Sequence, residues 1–138
     1  MYRKSLIQKI RNLESSIYPK EFRMMEDIDS FEHLKQYCED ERIKIKFWKT
    51  GYLITTPTTI IDFASILPLN FKQLRGIYLY LKNIYKDSIV SLNAREGTSY
   101  KLIKYLEQKS KIIIITDYKT KWNNEFFHEL EIQFTNYE

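Results

Sequence analysis

The sequence predicts an α/β domain with a mixed central sheet, on three observations. Two stretches of helical periodicity precede the first strand pattern. A long apolar run near the middle is followed by a helical pattern and a second apolar run, as in a β-α-β unit. The chain then closes on another helix and two more strand patterns, so that the order along it is αα-βββ-α-β-α-ββ. With 138 residues it has the length of one domain, 1–138, large enough to fold on one core without disulfides.

Leu6, Ile7, Ile10 and Leu13 recur at helical spacing and predict a first helix from about Lys4 to Ser15, which stops before Tyr18-Pro19. Asp29, with Glu32 three positions on, forms a capping box for a second helix. Its apolar face is Phe31, Leu34, Tyr37 and Cys38. Ile43, Ile45 and Phe47 alternate with Arg42, Lys44 and Lys46, the pattern of a half-buried strand. Lys49-Thr50-Gly51 turns that strand into Tyr52–Thr55, with Gly51 at the tip of the hairpin. The run Thr58 to Leu67 is apolar apart from Asp62, Ser65 and its opening threonines, as expected of a strand in mid-sheet, and Pro68 ends it.

From about Phe71, the residues Leu74, Ile77, Tyr78, Leu81, Ile84 and Tyr85 mark a helix, and Ile89–Leu92 a strand. Thr98 or Ser99 caps a further helix through about Lys109. Lys111–Thr116 reads as a buried strand and Phe126–Phe134 as the last one.

Composition narrows the function. The 22 basic and 18 acidic residues leave a net charge of +4, but the two signs are interspersed, as on a solvated surface, so nucleic acid is not the expected partner. Lys104 and Glu107, three apart on a helix, suit such a face. No apolar run approaches the roughly 18 residues of a membrane span. The polar start Met1-Tyr-Arg-Lys has no apolar signal core, so a cytoplasmic setting is expected. Cys38 is the only cysteine, which excludes a Cys-rich metal site, and His33 and His128 lack ligand spacing and read as surface or packing residues.

The stretch Thr59 to Leu81 carries the chemistry. Asp62 interrupts an apolar strand, and Gln73-Leu74-Arg75-Gly76-Ile77 opens a helix after it. A helix start presents free N–H groups and partial positive charge, the physics of phosphate binding, and Gly76 would let a phosphate approach the main chain. Asp62 is either a functional acid, its proton affinity raised by burial among Ile60, Ile61 and Phe63, or a residue turned to solvent or to a lysine.

Asp62, Ile66-Leu67-Pro68 and Gln73-Leu74-Arg75-Gly76-Ile77-Tyr78 together resemble the GNAT family of N-acetyltransferases, whose central strand and helix carry an acid, Val-x-Pro, and Gln/Arg-x-x-Gly-x-Gly/Ala. The resemblance spans nearly the whole chain and implies an acyl-CoA N-acyltransferase-like fold, a mixed, mostly antiparallel central sheet flanked by helices. It implies acetyl-CoA as co-substrate, held by Ile66, Pro68, Lys72, Gln73, Arg75, Gly76, Ile77 and Tyr78. The acetyl group would pass to an amine of a small molecule or protein by direct attack, with Asp62 as general base through water and Tyr105, or second to it Tyr100, protonating the departing thiolate.

Ile17-Tyr18-Pro19 falls where the family shapes its acceptor site, and the loops Ser16–Asp29 and Tyr118–Glu125 would set the acceptor. Tyr78 departs from the pattern, since a second small residue is usual there. Its ring either fills the coenzyme's place or turns into the core with Leu74, Leu81 and Tyr85. In the first case the chain would be a catalytically inactive module acting on a protein partner. The aromatic strand Phe126–Phe134 would offer a homodimer contact if it lay at a sheet edge.

Overall fold

A computed structural model describes residues 2–65, 70–96 and 99–135. The chain divides into two compact units, one of residues 1–56 and 61–70, the other of 57–60 and 71–138.

The first unit opens with α1 (Tyr2–Ile17), a 3-10 turn (Lys20–Phe22) and α2 (Phe31–Cys38). β1 (Lys44–Trp48), β2 (Gly51–Thr55) and β3 (Ile60–Ser65) follow. Ile7 and Ile10 of α1, Leu34 of α2, Met25 and Ile28 between them, and Tyr52, Ile54 and Ala64 of the strands form one buried cluster. α2 is capped by Ser30, whose Oγ accepts from the His33 amide at 3.0 Å. The expected cap, Asp29, instead lies one position too early and faces the His33 ring at 3.4 Å.

β1 and β2 are antiparallel, from Lys44 opposite Thr55 to Trp48 opposite Gly51. The hairpin turn is therefore Lys49-Thr50, and Gly51 begins β2 instead of forming the tip. Glycine is required there by closeness: a Cβ would lie 2.7 Å from Cζ2 of the Trp48 indole and would collide with the Ala64 carbonyl oxygen. The strand order is β1-β2-β3, so the mid-sheet position expected of the Asp62 strand belongs to β2. All five residues of β2 are buried, whereas β3 is mostly half-buried.

In the second unit α3 (Phe71–Tyr85), β4 (Ile89–Arg95), α4 (Ser99–Gln108), β5 (Ile112–Trp122) and β6 (Glu125–Phe134) form a helix-backed antiparallel sheet of order β4-β6-β5. α3 buries Tyr78, Leu81 and Tyr85 on one face, as its spacing predicts. The Tyr85 ring stacks on Phe134 at 6.3 Å, and its hydroxyl donates to the Thr59 carbonyl at 2.9 Å.

The expected single central sheet is not what forms. The strands divide into two three-stranded sheets, and an isolated parallel bridge joins Thr59 to Ser91, with the Ser91 amide donating to Thr58 O at 3.0 Å. Two further expectations fail in the hairpin β5-β6. The segment Tyr118–Glu125, read as an acceptor-site loop, is the end of β5, a tight turn and the first residue of β6. Asn123 and Asn124 make that turn with φ of 49° and 63°, the pair of positive values that a two-residue hairpin turn demands and asparagine tolerates. β5 is also mostly exposed, because it flanks the sheet, while β6 lies between β4 and β5 and has no edge to offer a second copy.

Gly51→Ala is expected to lower stability by about 1–3 kcal/mol, the usual penalty of overpacking, as measured by urea unfolding. Tyr78 supplies a contrasting expectation: its hydroxyl is buried with no hydrogen-bond partner among the described residues. Tyr78→Phe should therefore leave stability unchanged or raise it by up to about 1 kcal/mol in the same assay.

Candidate active site

Asp62 is drawn into a cluster with Tyr52 and Glu14, each from a different element of the first unit. Glu14 continues the inward stripe of Ile7 and Ile10 along α1 and is 2% exposed. Its Oε1 accepts from the Met25 amide at 2.8 Å and its Oε2 from the Met24 amide at 3.0 Å. On β2 the Tyr52 hydroxyl donates to Asp62 Oδ2 at 2.7 Å and lies 3.4 Å from Glu14 Oε2. Beside it, the Tyr18 hydroxyl donates to the carbonyl of Phe63 at 3.0 Å, which places the Ile17-Tyr18-Pro19 joint against the strand that carries Asp62.

Two carboxyls this close and this poorly solvated cannot both be ionised cheaply. Burial, then the negative charge of Asp62, raises the Glu14 pKa to about 7, against the pull of the Met25 and Met24 amides. Burial also raises Asp62, but hydrogen bonds from Tyr52, Glu14 and the Phe63 amide oppose the rise. Both proton affinities are therefore raised, and the pair resists carrying two charges. Burial and the two carboxyls push the Tyr52 phenol upward, so it stays a donor.

The other expected site residues lie in the second unit or outside the description. Ile66 and Pro68 are outside the described residues. Lys72, Gln73, Arg75 and Gly76 are exposed along the start of α3, and Ile77 is half-buried. Because α3 already begins at Phe71, its first turn precedes Gly76, whose own amide falls within the helical ladder. A Cβ on Gly76 would meet nothing within 4 Å, so the space over this backbone is open. Tyr78 does not fill it: its ring packs against Phe134 at 6.0 Å, with the Lys82 and Lys111 ammonium groups 5.9 and 5.6 Å from its centre. Tyr105 is half-buried on α4, with the Lys109 ammonium 5.7 Å from its ring.

Sequence reasoning missed Glu14, although an acid seven positions after Ile7 and four after Ile10 is visibly in register with the apolar stripe. It also set His128 aside, correctly as a packing residue but without its partners. His128 is buried on β6, with Nδ1 2.6 Å from Asp117 Oδ1 and Nε2 3.3 Å from Glu96 Oε1. The Tyr100 ring stacks on it at 3.6 Å, and its hydroxyl donates to Asp117. Lys119 pairs with Glu96 at 3.0 Å. Burial alone would raise Asp117, but the bonds from Tyr100 and His128 outweigh it and hold its pKa low. Lys119 and then His128 hold Glu96 low as well. With a carboxylate on each ring nitrogen, His128 cross-links α4, β5 and the end of β4. Among the described residues no group of His, Cys, Asp and Glu is arranged to hold a metal ion, and no helix is long and apolar enough to cross a membrane.

The raised acids make a pH prediction. A carboxyl protonated in the folded state but ionised in the unfolded one binds more protons when folded, so stability falls as pH rises through the gap between the two pKa values. For Glu14 that gap runs from the ordinary 4.5 to about 7, and Asp62 acts in the same direction. Urea unfolding should show stability declining across that window, with a slope of up to about 1.4 kcal/mol per pH unit for one proton. A flat or rising profile there would contradict the shared-proton cluster. The depressed acids Asp117 and Glu96 act oppositely and at lower pH: their contribution is lost only as pH falls below the ordinary carboxylate range. No protein-family model and no curated protein sequence matches this chain.

Proposed function

We propose that this chain is an N-acetyltransferase-like protein of the GNAT type, with an acyl-CoA N-acyltransferase-like fold, which transfers an acetyl group from acetyl-CoA to an amine with Asp62 as general base. The observation that carries this reading is Asp62 itself, which accepts from the Tyr52 hydroxyl at 2.7 Å in a setting where burial raises its proton affinity. A general base works best with a proton affinity near the operating pH, and the burial of Asp62 moves it in that direction.

The residues present fit a coenzyme. Lys72 and Arg75 supply positive charge, the first amides of α3 supply donors, and the open backbone at Gly76 gives access, since Tyr78 is turned away into the core. When bound, acetyl-CoA supplies an acetyl group activated as a thioester. In this reading Asp62 would accept the proton of the amine and Tyr105 would be the donor for the departing thiolate.

A second reading rests on a different observation. The helix is already wound through Gln73–Gly76, which commits the Gly76 amide to the ladder, and this favours a catalytically inactive module of the same fold that acts on a protein partner. Acetyl-CoA separates the two. If the enzyme reading holds, acetyl-CoA raises the melting temperature in proportion to the logarithm of its concentration. Asp62→Asn should then lower kcat at least about 100-fold, the usual contribution of a general base, without weakening coenzyme binding. Absence of both a thermal shift and calorimetric heat would discard the enzyme and leave the module.

A further inference from the structure

We propose that His128 is held as its doubly protonated imidazolium between Asp117 and Glu96 and works as a pH-sensitive latch on the end of β4. All the residues involved lie in the second unit, and none depends on the acetyltransferase reading.

Strand pairing builds the latch. Residues directly opposite one another across strands share a face of the sheet, and so do residues two apart along a strand. His128 of β6 stands opposite Ala94 of β4 and Lys119 of β5, so Glu96, two beyond Ala94, and Asp117, two before Lys119, fall on its side. The register slip in β5 brings the right residues there. Ile112 and Ile114 stand opposite Phe134 and Ile132 before the slip, and unbroken pairing would carry Thr116 and Tyr118 on to Leu130 and His128. The one extra residue puts Asp117 and Lys119 in those two places instead, the re-aiming of side chains that a bulge produces.

Only one charge state of the ring satisfies both of its contacts. A carboxylate can only accept, and Asp117 and Glu96 are both held below the ordinary carboxylate range, so both are anions at neutral pH. Nδ1 of His128 lies 2.6 Å from Asp117 Oδ1 and Nε2 lies 3.3 Å from Glu96 Oε1. Neutral imidazole has a single N–H and would turn a lone pair towards one of these carboxylates, whereas imidazolium donates from both nitrogens. The other groups around the ring supply no substitute proton. Tyr100 of α4 stacks on it and gives its hydroxyl to Asp117, Lys119 is paired with Glu96 at 3.0 Å, and Lys104 of α4 is paired with Glu107 at 2.8 Å. The His128 side chain is 7% exposed, so protein groups and not bulk water must satisfy it.

The two contacts are unequal. The Nδ1 contact is the shorter, and Asp117, with 28% of its side chain exposed, is more enclosed than Glu96 at 40%. When pH rises far enough to remove one proton, it leaves Nε2, and a lone pair then faces the Glu96 carboxylate. Glu96 lets go and keeps only Lys119. The bond from the Glu96 amide to the Phe126 carbonyl, at 3.1 Å, fastens the end of β4 to β6 three positions before α4 begins at Ser99, and it opens with that release.

NMR of the full chain with nitrogen-15 in its two histidines reads the ring directly, and His33→Gln leaves His128 as the one signal. At pH 7 both ring nitrogens of His128 should resonate as protonated; a bare nitrogen there overturns the imidazolium. Asp117→Asn keeps the shape of the side chain without its charge and should lower the proton affinity of His128 about 10-fold. An unchanged affinity overturns Asp117 as the partner. As pH rises further, Nε2 should lose its proton first, and the hydrogen-exchange protection of the Glu96 amide should fall at least about 10-fold in the same range. Level protection, or first loss from Nδ1, overturns the latch. In Glu96→Gln the new side chain can accept from a protonated Nε2 or donate to a bare one, so the backbone amide of that residue should keep its protection throughout. A fall of wild-type size in this variant would overturn Glu96 as the group that lets go.

Discussion

A carboxyl group inside an apolar cluster is tolerated only if its oxygens are bonded and its charge is removed or shared. Glu14 meets both conditions, and in doing so it ties the first unit together. Its two oxygens take the amides of Met24 and Met25, fixing the chain between the two helices against α1. Through Tyr52 and Asp62 it reaches β2 and β3. The surrounding Ile7, Ile10, Met25, Ile28 and Leu34 supply the burial that drives folding. The polar cluster decides which way the pieces face, because any other docking of α1 would strand a carboxyl among apolar side chains.

The second unit solves its polar problem differently. There a histidine is enclosed by acids of opposite charge when it is protonated, and an aromatic ring from α4 closes over it. Each ring nitrogen in that arrangement has its carboxylate, and Glu96 is shared with Lys119. The contrast between the units is one of charge balance. Asp117 and Glu96 are bonded by His128, and Glu96 also by Lys119, whereas the Asp62 and Glu14 carboxyls are bridged by the neutral Tyr52 hydroxyl.

Much of this was legible in the chain, and the exceptions are physical. Helical stripes such as Tyr78, Leu81 and Tyr85 report their own burial, since period and core face coincide. Alternation in Ile43–Phe47 reports a strand but not its neighbours, and so the division into two sheets escaped. Apolar density placed the Asp62 strand in mid-sheet, yet β2, with fewer apolar residues in a row, is the one flanked on both sides. Asp62 itself stood out because it broke a run. Its partners did not, because Glu14 is distant in sequence and Tyr52 is one of 11 tyrosines. Asn123-Asn124 was a readable turn signal, overlooked because an exposed lysine-rich segment also resembles a loop.

The position of β5 has one more consequence, for the unfolded and partly folded chain. Ile112 to Ile115 form four consecutive isoleucines at the rim of a sheet, with Ile113 and Ile115 exposed, the composition from which intermolecular β-stacking starts. The strand departs from regular pairing at that place, where the register slips between Ile114 and Thr116. Beyond the slip come Lys119 and Lys121, charges that resist a flat edge-to-edge approach. A one-residue irregularity followed by two like charges acts as a solubility device, shielding the isoleucine run from a second molecule without removing it from the core on which β6 depends.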